Sequence, residues 1–92
     1  MGKPSDVDTN QETIKQYERE VLGKLSRDND QGISPTSHKD LEDSFKEASR
    51  YDVFKIALQN LIVYGFVSRI GTEEYKITEN GITELQERIR LL

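Results

Sequence analysis

The sequence predicts a mainly α domain with a small β-hairpin (α+β), in the order helix–helix–helix–strand–strand–helix. Three observations predict it. Two helix-capping patterns stand close together, Ser37 with Asp40 and Ser49 with Asp52. Gly65 stops a helical hydrophobic period. Beyond it the pattern alternates over Phe66–Ile70 and Tyr75–Thr78 before Thr78 opens a last helix.

Taken in order, residues 1–10 hold one apolar side chain beyond Met1, Val7, and read as a disordered tail ahead of a domain spanning 11–92. Thr9 and Glu12 form a capping box, and Ile14, Tyr17, Val21, Leu22 and Leu25 then share one helical face to about Ser26 or Arg27. Residues 28–37 are dense in turn formers, with Ile33 as a lone buried anchor or very short strand. Ser37 caps a second helix with Leu41, Phe45 and Ala48 on its inner stripe. The third helix follows within a few residues, from about Arg50 to Tyr64, burying Val53, Ala57, Leu58, Leu61 and Ile62. Gly71, Thr72 and Glu73 turn the hairpin, and the last helix aligns Ile82, Leu85, Ile89 and Leu92.

Composition narrows the function classes. At 92 residues, 34% hydrophobic and 33% charged, the chain forms one small core under a heavily solvated surface. No apolar run approaches the ~20 residues of a membrane helix, and no apolar stretch follows the start as in a signal peptide. Cysteine is absent, which excludes disulfides and Cys-based zinc sites and makes the cytoplasm the default compartment. The net charge of -4 makes the local distribution of cations decisive for any nucleic-acid role.

The runs Leu58-Gln-Asn-Leu61-Ile-Val-Tyr-Gly65-Phe-Val67-Ser-Arg69 and Tyr75-Lys-Ile77-Thr78-Glu-Asn-Gly81 resemble the recognition helix and wing of winged-helix transcription regulators. The resemblance covers about residues 12–92 in element order, and residues 58–81 carry its specific part. It implies sequence-specific binding of double-stranded DNA as a small transcriptional regulator, with the third helix in the major groove and the wing on the backbone. Carried over residue by residue, the DNA-binding positions are Ser49, Arg50, Tyr51, Lys55 and Gln59 on the helix, and Arg69, Thr72 and Lys76 on the wing. One departure stands out: Glu73 and Glu74 put two carboxylates at the wing tip, where they repel phosphate. The rival expectation is a winged-helix adaptor that binds another protein and not DNA.

The remaining residue types point to no catalysis. His38 is the single histidine and reads as a surface residue, without the further ligands a metal site needs or an activated nucleophile beside it. The six glycines are scattered as caps and turns, so no phosphate loop and no cofactor are expected. Asp28 with Asp30, and Glu73 with Glu74, read as solvated charge, and Tyr64 as half-buried packing. The broad face of the first helix and the apolar C-terminal tip suggest a homodimer held by Ile14, Tyr17, Val21, Ile89 and Leu92.

Overall fold

The computed structural model describes residues 3–45 and 51–91, with side chains from residue 11 onward. The order is α1 (Lys3–Asp30), β1 (Thr36–Ser37), α2 (His38–Ser44), α3 (Tyr51–Val63), β2 (Val67–Ile70), β3 (Glu74–Ile77) and α4 (Glu79–Arg90). It is a mainly helical chain with one small antiparallel sheet in the order β1-β3-β2. No helix among the described residues is long and apolar enough to cross a membrane.

Two of the capping signals read from the sequence, Ser37 and Thr78, act locally, while Ser49 lies outside the described residues. Ser37 Oγ accepts from the Asp40 amide, and Thr78 Oγ1 accepts from the Gly81 amide, each at 3.0 Å. Gly65 takes φ 83°, and the Phe66 amide reaches back to the Leu61 carbonyl at 3.0 Å, which closes the end of α3. α1 is longer than the capping box suggested. It begins at Lys3, inside the segment expected to be a disordered tail, and ends at Asp30, a turn beyond Ser26.

Val21, Leu22 and Leu25 of α1 meet Leu41 of α2, Phe45 at the C-cap of α2, and Val53, Phe54, Ala57, Leu58 and Leu61 of α3. Val67, Tyr75, Ile77 and Leu85 close the core from the sheet and α4. Phe54 is fully buried and stacks on Phe45 with ring centroids 4.8 Å apart. Full burial of one such ring contributes ~1.5–3 kcal/mol. The sequence reading left Phe54 off the inner stripe and placed Ile62 on it, whereas Ile62 is only half-buried.

Two expectations are corrected here. Ile33 is 52% exposed and belongs to no strand; the short strand lies at Thr36–Ser37 instead. Pairing of Thr36 with Tyr75 turns the threonine inward, where its hydroxyl donates to Asp28 Oδ2 at 2.7 Å. Asp28 is therefore buried and not solvated, and Lys24 pairs with it at 3.2 Å. Lys24 also reaches Asp40 at 3.1 Å; burial pulls its pKa down, but these two carboxylates outweigh burial and hold it above the ordinary range.

α4 is held at both ends. Near its start, a Cβ on Gly81 would collide with the Phe66 carbonyl oxygen and approach Ile77 Cγ1 to 2.8 Å, so only glycine fits. Further along, Arg88 pairs with Glu18 of α1 at 2.9 Å and with Glu84 at 2.7 Å. The Glu18 side chain is 4% exposed and also accepts from Asn60 of α3 at 3.1 Å. Burial pulls the Arg88 pKa down, but its bonds to Glu84 and Glu18 outweigh that and hold it above the usual arginine range.

Candidate nucleic-acid interface

The helix expected to face DNA is α3. Its buried stripe faces α1 and the sheet, and Asp52, Lys55, Ile56, Gln59 and Val63 are exposed. Of the eight residues expected at the interface, Ser49 and Arg50 lie outside the described residues. Lys55 and Gln59 stand on the outward face one turn apart, and Tyr51 is half-buried at the start of the helix.

A chain of polar contacts fixes that start. The Tyr51 hydroxyl donates to Glu42 of α2, and Lys55 Nζ lies 5.4 Å from the Tyr51 ring centroid. Glu42 Oε2 faces His38 Nε2 at 3.5 Å, and His38 Nδ1 shares a 3.0 Å hydrogen bond with the Tyr75 hydroxyl of β3. α3 is thus tied through α2 to the hairpin. The bond from Tyr51 holds the Glu42 carboxyl below its ordinary range, with His38 and Lys55 adding to the effect against a smaller cost of burial. The same bond, with burial adding to it, raises the Tyr51 phenol above its ordinary value. His38, expected as an ordinary surface residue, is half-buried between these partners. Among the described residues no cluster of three metal-ligating side chains forms.

The wing residues do not act from one side. Alternate residues of a strand point to opposite faces, and paired residues share a face. Arg69 pairs with Tyr75 and stands, exposed, on that side of the sheet, while Lys76 pairs with Ser68 and shares the opposite side with Ile70 and Glu74. Arg69 Nη2 also donates to the Thr72 carbonyl at 3.1 Å, which closes the turn. Thr72 is exposed at the tip beside Glu73 and Glu74. Lys55, Arg69 and Lys76 are matched in number by Asp52, Glu73 and Glu74. Glu42 and Asp43, with Lys39 and Tyr51, line a further groove of about 490 Å³ at the start of α3.

The residues expected to hold a dimer divide. Val21 is fully buried and Tyr17 nearly so, its ring 5.9 Å from Phe45, so neither reaches a partner; both are spent on packing within the chain. Ile14 is half-buried against the core, Ile89 is 54% exposed, and Leu92 lies outside the described residues. Tyr64 is 54% exposed and not the half-buried residue expected. With Ile14, Phe66, Asn60 and Arg88 it lines a groove of about 620 Å³ above Glu18.

The sequence reading missed Glu42, Asn60 and Glu18. The Tyr51–Glu42 pair, nine residues apart across a helix junction, left only a weak signal, since both residue types are ordinary on helix surfaces. Compared with known proteins, the chain matches no family model, no curated protein and no solved structure.

Proposed function

We propose that this chain is a winged-helix domain that binds double-stranded DNA as a small transcriptional regulator and performs no chemistry of its own. Helix α3 would enter the major groove, with Lys55 and Gln59 toward the bases and Lys76 on the backbone. One observation carries the reading. Among the described residues no other element covers the outward face of α3, and its start is tied through Glu42 and His38 to β3 of the hairpin. Helix and hairpin would therefore meet a duplex as one preset surface. Arg69, exposed on the side of the sheet opposite Lys76 and closing the turn, serves the shape of the wing more than its affinity.

A second reading, an adaptor that binds protein alone, has its own support. Ile56 and Val63 are exposed on the same helix, Val63 at 70%, and the cations of this face are balanced by carboxylates. A two-fold dimer would draw on exposed residues such as Ile89 and Leu91 and not on Tyr17 and Val21, which are committed to the core.

The test is an NMR titration of labelled protein with duplex DNA at low salt. Shifts at Tyr51, Lys55, Gln59 and Lys76 that fade as salt rises are expected from phosphate contact. Unchanged spectra at low salt would refute DNA binding, because even nonspecific contact registers there.

A further inference from the structure

The cations of this chain are unevenly placed. On α1, Lys15, Arg19, Gly23 and Arg27 recur every four residues and form one stripe about 18 Å long. Two shallow grooves lie between that stripe and α4, and Arg19 borders both. Their linings include five cations (Lys15, Arg19, Lys24, Arg27 and Arg88) against two carboxylates, Glu20 and Glu84. That surplus of three sits on a chain with a net charge of -4.

Not all of this charge is free. Lys24 is paired with Asp28 and Asp40, and Arg88 with Glu18 and Glu84. Lys15, Arg19 and Arg27 form no ion pair among the described residues. Between them the surface is apolar: Phe45 and Leu85 make the floor, and Ile89 and Leu91 stand exposed at the lip, Leu91 at 81%. Gly23 keeps the floor low, with Arg27 Nη1 3.6 Å from where a Cβ would sit.

We propose that the seam between α1 and α4 is a docking groove for an acidic amphipathic helix of a partner protein. An apolar floor bordered by uncommitted cations one and two helical turns apart suits a helix with apolar residues at i, i+3 or i+4, and i+7, and carboxylates beside them. The stripe accommodates about 12 residues of such a helix at ~1.5 Å each. A second copy of this chain fits poorly, because a two-fold axis sets the cation surplus against itself. Duplex DNA offers nothing to Phe45, Leu85 and Ile89. A bilayer is met by a broad protruding apolar face, whereas here Ile89 and Leu91 alone project and Phe45 and Leu85 lie in the floor.

The experiment uses the full chain and two fluorescent synthetic 16-residue helices with the same leucine spacing, one carrying Glu and the other Lys at the flanking positions. Fluorescence anisotropy should show the Glu helix binding at least ten-fold more tightly than the Lys helix. Arg19→Glu with Arg27→Glu should weaken the Glu helix at least ten-fold, and Ile89→Asp similarly. Lys55→Glu, on the proposed DNA face, should leave helix binding unchanged, so the two proposals fail separately. Circular dichroism confirms folding of each variant, and the milder Arg19→Gln with Arg27→Gln replaces the reversal if that does not fold. Equal binding of both helices, or indifference to the arginine substitutions, overturns the proposal. So does failure to bind the Glu helix together with a dimer that Ile89→Asp dissociates, or with arginine-dependent binding to phosphatidylserine vesicles or duplex DNA.

Discussion

Two polar networks hold this molecule together, and they are built to different ends. Glu18, Asn60 and Arg88 join α1, α3 and α4 around a carboxylate withdrawn from water. Tyr51, Glu42, His38 and Tyr75 join α3, α2 and β3 near the surface, with the His38 and Glu42 side chains more than a third exposed. Breaking the first takes from Arg88 and Asn60 the buried acceptor that α1 supplies, in a place solvent reaches only in part. Breaking the second lets water take the place of the missing partner. The first therefore sets whether the chain folds, and the second sets how α3 is presented.

The comparison is tested most severely at the other fixing point of α4. Gly81→Ala should cost about 3 kcal/mol, measured by chemical denaturation, because backbone and not a yielding side chain blocks the methyl. Glu18→Ala should cost about 2–3 kcal/mol, as Arg88 and Asn60 lose their shared acceptor. Glu42→Gln should behave differently: a thermal midpoint within about 3 °C of the parent, with altered Tyr51 and Lys55 resonances and several-fold weaker DNA binding. If Glu42→Gln destabilises as much as Glu18→Ala, the division of labour between the networks is wrong.

The smallest effect is in acid. The Glu42 carboxyl is held below its ordinary 4.5, chiefly by the Tyr51 hydroxyl. Its contribution is complete above that ordinary value and is lost as pH falls through the lowered one. Tyr51 resonances should accordingly stay constant from neutral pH to about pH 5 and move only below 4.5. A midpoint above 4.5 would mean that the bond does not form in solution.

What the sequence disclosed was decided within a few residues. Ser37 and Thr78 were legible as caps because hydroxyl and amide stand three residues apart. Gly65 was legible because few other residues accept its backbone angle. The face of α3 bearing Lys55 and Gln59 followed from helical spacing. What escaped depended on distant partners: Arg88 finds Glu18 across 70 residues, and His38 finds Tyr75 across 37. Thr36 was passed over for Ile33 because nothing local shows that β3 will pair there, or that Asp28 will receive the hydroxyl. Tyr17 and Val21 looked like spare apolar surface because the width of the face they share with Leu22 and Leu25 does not show how much of it α2 and α3 will cover. The opposite facing of Arg69 and Lys76 needed only the strand register, which parity along a hairpin can supply once the turn is known.

Thr78 has a consequence for how the chain comes apart. Its hydroxyl donates to the Gly65 carbonyl at the end of α3 while accepting from Gly81, and its amide donates to the Phe66 carbonyl. One residue thus bolts the exit of α3, the entry to β2 and the entry to α4. No one of these segments can swing away while the others keep that bolt, so partial opening at this end has no small first step. Amide protons of Phe66, Thr78, Gly81 and Ile82 should exchange with solvent at a common rate, the hairpin and last helix parting from the rest in one event.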